Sequence, residues 1–327
     1  MRVGVVGAGG LGYHHVRLLR DLSGVHFAGF HDADAARAER VARELEVRAY
    51  PSLDALLDAA DALTIVVPTP AHFAVAQAAL ERGRHLLIEK PIAATVAEAD
   101  ELLATAQRTG ALVQTGHVER FNRAIRAAQA YVDAPRFIES DRLAPFNPRG
   151  ADVAVVLDLM IHDIDLIRTL VGGRIAHVTA VGVPVLTPSI DIANARITFD
   201  TGAVANITAS RVSRERFRKI RIFQRSGYLS LDLARGDGEF FRLRSDIDLA
   251  AFTTAPRALE EFVERIPLEA PEGEPLRLEL ESFVAAVRGE QPVAVTGEDG
   301  REALALALRI MREIERALPA LAGTPGA

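Results

Sequence analysis

The sequence predicts an α/β protein in two parts: a parallel sheet clad in helices, followed by an antiparallel or mixed open sheet. Three observations predict it. Over the first 117 residues, short apolar runs alternate with helix-period stretches, the pattern of strand–helix–strand crossovers. Those runs are continuously apolar rather than alternating, which suits a sheet buried on both faces. From 175 to 245 the pattern changes to successive strand-like runs joined by tight turns.

The elements follow in order. "VGVVG" (3–7) is a β-branched strand stopped by glycine. "LGYHHVRLLRDL" (11–22) sets Leu11, His15, Leu18 and Leu19 on one helical face. "VHFAGFHD" (25–32) is a second strand and "ADAARAERVARELE" (33–46) a second helix. "LTIVVP" (63–68) and "RHLLIE" (84–89) are strands flanking a helix over 71–83. A helix over 96–110 stops at Gly110, and "ALVQTGH" (111–117) is another strand. A helix over 120–132 and a long apolar helix over 153–173 then introduce the strand-like region. There "TFDTGAVA" reads as a hairpin turning at Asp200-Thr201-Gly202. "LEAPEGEPLR" reads as a loop, 298–318 as a final helix, and "PALAGTPGA" as a frayed tail. The expected domains are 1–118, dinucleotide-binding, and 119–327, substrate-binding and oligomerising.

Composition narrows the function. With 327 residues, 49% hydrophobic, a sizeable core is available, and a net charge of −6 gives no global attraction to nucleic acid or anionic membrane. The absence of cysteine removes disulfides, thiol nucleophiles and cysteine-ligated zinc. No leader pattern and no bilayer-length apolar run stand out, so a cytoplasmic location is expected.

"VVGAGGLGYHH" spells G-x-G-x-x-G with Gly7, Gly9 and Gly12. It follows a strand and opens a helix, with Asp32 closing the next strand about twenty residues on. Gly7 makes the tight turn, Gly9 admits a pyrophosphate to the backbone, and Gly12 lets helix and strand approach. Gly10 and Leu11 belong to the same loop. The helix N-terminus faces the phosphate charge. Asp32 would bind ribose hydroxyls and repel a 2′-phosphate, and Ala33 beside it brings no cation. The expected cofactor is therefore NAD, with no metal.

"HLLIEKPIAA" ends a buried strand in Glu89 and Lys90, with Pro91 restricting Lys90 to extended backbone. Strand ends of this kind line the cofactor groove in open α/β sheets. Without that context the triplet reads as a solvated strand exit. Pro68, Thr69 and His72 follow a neighbouring strand and are expected beside the nicotinamide ribose. His72 also reads as an ordinary first-turn residue. "LDLMIHDIDLI" sets Asp158 and His162 one helical turn apart in apolar surroundings. The carboxylate can fix the tautomer of the histidine and raise its basicity, and a purely structural network fits the pattern as well.

Together, the glycine loop, "EKPIA", "DLMIHDID" and the closing "PVAVTGEDGREALALALRI" resemble the glucose-fructose oxidoreductase/inositol dehydrogenase/rhizopine-catabolism (Gfo/Idh/MocA) family. The resemblance implies a Rossmann domain followed by an α/β domain with an open, mostly antiparallel sheet. It implies NAD(P)-dependent oxidation of a sugar or cyclitol alcohol, with Lys90 and His162 as the catalytic pair supported by Asp158. Met160 stands where the family pattern has glycine. The second domain, including "QTGHVERFNRA" and "RLAPFNPRGADVAVVLDLMIHDIDL", further resembles the subgroup oxidising the 3-hydroxyl of UDP-N-acetylglucosamine. That implies a substrate site using Arg120, Asn122, Arg142, Arg149 and Arg211, since arginines can meet a diphosphate. Each arginine alone also reads as a surface residue. Other nucleotide sugars, free aldoses and inositol stay open as substrates, as does an NAD-binding regulator without chemistry. An antiparallel sheet with one bare face predicts a homodimer or homotetramer through 175–245.

Overall fold

The computed structural model of this chain describes residues 1–148, 150, 153–244 and 262–322. It divides into two compact units: Met1–Val118 with Gly273–Ala305, and Glu119–Glu272 with Leu306–Ala327.

In the first unit, β1 (Arg2–Val6), α1 (Gly10–Arg20), β2 (His26–His31), α2 (Ala35–Leu45), α3 (Leu53–Ala59), β3 (Ala62–Ile65), α4 (His72–Leu80), β4 (His85–Glu89), α5 (Val96–Thr109) and β5 (Val113–Gly116) follow one another. The sheet order is β2-β1-β3-β4-β5, with every neighbour parallel. Sequence reading missed α3, whose N-terminus is capped by Ser52 accepting from the Ala55 N–H. The strands are buried on both faces: Leu86, Leu87 and Ile88 are each fully enclosed. α5 starts with a Thr95/Glu98 capping box and ends at Gly110 with φ +71°.

The expectation that everything after 118 forms the second domain needs correction. α8 (Pro275–Val287) joins the first unit's core, where Leu276, Leu280, Phe283 and Val284 pack with Val3, Val5, Leu19 and Leu87. The last three residues of "LEAPEGEPLR", read as a loop, are helical: Pro275 at the first turn and apolar residues at 276, 280, 283, 284 and 287 carry the helix signature. α9 (Gly297–Ala322) begins in the same unit and runs past Pro319, so the tail read as frayed is helical through Ala322. The last five residues lie outside the described ones.

The second unit holds α6 (Arg123–Ala128), β6 (Phe137–Leu143), α7 (Ile161–Val171), β7 (Ile175–Val183), β8 (Ile192–Phe199), β9 (Val204–Ser210), β10 (Phe217–Gln224), β11 (Gly227–Asp232), β12 (Asp237–Leu243) and β13 (Val263–Pro267). They form one sheet, β13-β12-β11-β10-β6-β9-β8-β7. Every neighbouring pair is antiparallel except β6 with β9. The Asp200–Gly202 hairpin joins β8 to β9, with Gly202 at φ +80°. Ile197, Ile207, Ile220 and Leu229 sit on the buried face. On the other face an aromatic ladder, Phe137–Phe223–Tyr228–Phe241, stacks across four strands at 5.7, 5.5 and 4.7 Å.

Candidate active site

The first unit brings its nominated residues to one edge of the sheet. The glycine loop follows β1, Asp32 follows β2, Pro68 and Thr69 follow β3, and Lys90 follows β4. These strands are consecutive in the sheet, and chain direction reverses its spread between β1 and β3. That reversal point is where such sheets bind dinucleotides.

The loop fits a dinucleotide on steric grounds. Gly7 lies at φ +91°, and a Cβ there would come 2.5 Å from the Val66 carbonyl oxygen. A Cβ on Gly12 would come 2.0 Å from the Gly7 oxygen, whereas one on Gly9 would meet nothing within 4 Å. The loop is thus sealed towards the protein and open at Gly9. α1 starts at Gly10 without a side-chain cap, leaving its first N–H groups for a ligand. Leu11, expected on the packed helix face, is instead 40% exposed beside the loop.

Asp32 is buried and already engaged. It accepts from the Ala8 N–H at 2.7 Å and the Asp34 N–H at 2.8 Å. Arg37 lies 3.1 Å away, so a cation does stand beside Asp32. Ala33, next in sequence, brings no cation, but the first turn of α2 supplies Arg37. A carboxylate has about four acceptor sites, and with two bonds from Arg37 at 3.1 and 3.3 Å all four are used, so a ribose hydroxyl would take the place of Arg37 while the backbone bonds lock the loop to β2.

Glu89 and His72, expected beside the cofactor, are both buried and hold partners within the first unit. The Glu89 carboxylate is buried, with Oε1 3.2 Å from Nε2 of the fully enclosed His15. Gly116 on β5 leaves room for it: a Cβ there would fall 2.9 Å from the carboxylate carbon. The His72 ring is 1% exposed, with Nδ1 2.9 Å from the Pro91 carbonyl oxygen and Nε2 2.8 Å from that of Val67. A neutral ring has one N–H and can donate to only one of these; the imidazolium donates to both. Burial pushes the His72 pKa down, against the pull of the two carbonyls and of Glu89. Lys90 is half-buried, and its peptide bond to Pro91 is cis.

The second unit carries the other candidates. The helix expected over 153–173 begins with a π turn, Val156–Met160, and continues as α7. Asp158 lies in that turn and His162 in the first turn of α7, both half-buried. Bonding from i to i+5 inside a helix recurs at functional sites. Gly150 lies close to Asp158, since a Cβ there would be 3.6 Å from the carboxylate. Met160 is fully buried in the core.

The arginines divide differently from the expectation of a diphosphate site. Arg142 on β6 is 3% exposed and makes two bonds to Asp163 of α7, at 2.8 and 2.9 Å, and one to Glu119 at 2.8 Å. Burial opposes its charge, but the two carboxylates hold the guanidinium above its ordinary pKa. Burial pushes Asp163 up, opposed by Arg142; the paired bond geometry favours the ionised state. Arg142 is therefore a structural fastener of α7, not an open cation. Arg211 is 5% exposed and donates to the carbonyls of Gly150 and Val153. Arg120 makes a bidentate pair with the buried Asp165 of α7, at 2.6 and 2.7 Å. Asn122 caps α6 and donates to the Leu233 carbonyl. Each of the four is held inside the fold. Arg149 lies outside the described residues.

Residues 1–117 match the family profile described as "Oxidoreductase family, NAD-binding Rossmann fold". Residues 124–230 match "GFO/IDH/MocA C-terminal domain". The chain belongs to the Gfo/Idh/MocA oxidoreductase family. Within it, the chain is 41% identical over 316 residues to UDP-N-acetylglucosamine 3-dehydrogenase of Acidithiobacillus ferrooxidans, covering 96% of this chain and 97% of that one. The solved structure of that enzyme superposes with a TM-score of 0.87 at 40% identity, covering 97% and 98% of the two chains. A scyllo-inositol 2-dehydrogenase (NAD(+)) of Bacillus subtilis is 31% identical over 232 residues, 65% of this chain and 68% of that one. The protein is thus an NAD-dependent dehydrogenase of this family.

Proposed function

We propose that the protein oxidises the 3-hydroxyl of UDP-N-acetylglucosamine to a 3-keto sugar nucleotide, the chemistry of an amino-sugar route of the lipid A type. The observation that carries this reading is the likeness to the Acidithiobacillus enzyme over 96% of the chain, both halves included. NAD, when bound, supplies the hydride acceptor. The chain's own residues handle the proton. His162 takes it from the 3-hydroxyl, Lys90 donates a hydrogen bond to the same oxygen, and Asp158 orients the imidazole. The glycine loop and Asp32 hold the dinucleotide, with Pro68 and Thr69 beside it. With Arg120, Arg142 and Arg211 committed to internal partners, Arg149 is the nominated contact for the diphosphate.

The test is turnover of the purified holoprotein, followed as NADH absorbance, with UDP-N-acetylglucosamine, free N-acetylglucosamine and scyllo-inositol offered separately. NADH should form with the nucleotide sugar alone. Formation with the inositol and none with the nucleotide sugar would move the substrate to the cyclitol branch of the family. Arg149→Ala should raise the KM for the nucleotide sugar at least ~10-fold, about 1.4 kcal/mol, with kcat little changed.

A further inference from the structure

His72 faces two backbone carbonyls that belong to two different strand exits. Nε2 lies 2.8 Å from the Val67 oxygen, just past β3, and Nδ1 lies 2.9 Å from the Pro91 oxygen, just past β4. The ring is enclosed and cannot trade these partners for water. Pro91 is bonded directly to Lys90, so anchoring its carbonyl restrains the backbone that immediately follows the lysine. On the other side of Lys90, Glu89 is anchored by His15 and fitted against Gly116. Lys90 itself is half-buried between two residues that are both buried. We propose that His72 is a positioning residue for Lys90: the tautomer that carries its proton on Nδ1 donates to the Pro91 carbonyl and so restrains the lysine, with Nε2 facing the Val67 carbonyl oxygen. This rests on the proton-handling role given to Lys90 above.

The physical argument is one of tolerance. Catalytic groups must be held to fractions of an ångström, and misplacement by about 1 Å costs on the order of 100-fold in rate. A lysine has four rotatable side-chain bonds and little rigidity of its own. Precision must then come from its backbone, here a strand exit with the ladder behind it and a loop ahead. Side chains that bond that loop's carbonyls from a buried position supply it.

Three substitutions at position 72 test the proposal through kcat and the Kd for NAD. His72→Leu removes the Pro91 bond and keeps an apolar side chain in the core. The amide nitrogen of asparagine takes the place of Nδ1, and that of glutamine the place of Nε2. His72→Asn thus restores the Pro91 bond, and His72→Gln donates to the Val67 carbonyl instead. We expect His72→Leu to lower kcat at least 10-fold with the NAD Kd changed less than 3-fold. His72→Asn should recover most of kcat and His72→Gln should not. Full activity in His72→Leu overturns the proposal, and so does recovery by glutamine equal to that by asparagine. Equal failure of all three, with loss of NAD binding, overturns it too, because the Pro91 bond would then not be the one that matters. Lys90→Ala separates the two claims. Activity that survives Lys90→Ala sinks the role of Lys90 itself; loss there with full activity in His72→Leu sinks the clamp alone.

Discussion

Gly12 shows what the dinucleotide loop demands of a single residue. A methyl group there would overlap the Gly7 carbonyl oxygen at 2.0 Å, so α1 would have to move off β1. Gly12→Ala should weaken NAD binding at least ~10-fold, about 1.4 kcal/mol, measured as Kd by titration, while the protein stays folded. Gly7, Gly12 and Asp32 were legible because their chemistry is local: one turn, one helix start, one strand end. His15 carried a signal as well, a histidine on an otherwise apolar helix face. Its partner Glu89 lies 74 residues away, and no local pattern names it. The internal partners of Arg142 were hidden for the same reason. Arginine near a substrate motif and arginine beneath a helix look alike until Asp163 and Glu119 are seen on either side of it. Arg142→Ala strands two buried carboxylates and should destabilise the second unit by ~3–5 kcal/mol, read from denaturant unfolding. A diphosphate ligand would instead raise the KM for the nucleotide sugar and leave unfolding unchanged.

At the scale of elements, α7 is fixed to its sheet by charge as well as by apolar packing. Asp163 reaches Arg142 on β6, and Asp165 reaches Arg120 on the 3-10 turn Val118–Phe121. Ile164 and Ile167 of the same helix are fully buried. The segment ahead of β8 is ordered in another way. Asp191 accepts N–H bonds from Val185, Leu186 and Thr187 at 2.7–2.8 Å. Burial alone would raise its pKa, but these backbone bonds hold it down at about 2. A depressed carboxylate pKa adds stability that is complete above the unfolded value, about 3.9, and is lost as pH falls through the folded one. From about pH 4 down to 2, ~2.5 kcal/mol should therefore disappear. Asp191→Asn should lose that amount at neutral pH and flatten the acid limb, which a pH series of unfolding midpoints would show. The π turn at Val156–Met160 was not legible, because hydrophobic periodicity does not distinguish one π turn inside an otherwise α-helical pattern.

For the whole molecule, the first unit is discontinuous. α8 adds Leu276, Leu280 and Phe283 to the core that α1, β1 and β4 share, yet it lies beyond the entire second sheet in sequence. Residues 1–118 alone should therefore fail to fold cooperatively and should bind hydrophobic dyes, whereas the full chain should do neither. Phe283→Ala should cost ~3–5 kcal/mol, measured by chemical denaturation. Alternating strands and helices made the first sheet readable from sequence, and hairpin spacing did so for the second. The return of 273–305 had no local signal, because chain re-entry is a tertiary choice. Among the described residues no helix is long and apolar enough to cross a membrane. The aromatic ladder on the second sheet, with Val181, Val183, Val185 and Leu186 exposed at and beyond its β7 edge, leads us to expect a homodimer or homotetramer by light scattering. The central claim, that the chain oxidises carbon 3 of a nucleotide sugar with NAD, has a direct test. UDP-N-acetylglucosamine deuterated at carbon 3 is incubated with the holoprotein and NAD, and the nicotinamide product is weighed by mass spectrometry. The account predicts one deuterium in the reduced cofactor and a 3-keto sugar nucleotide; reduced cofactor without the label, or none at all while an inositol is oxidised, would contradict it.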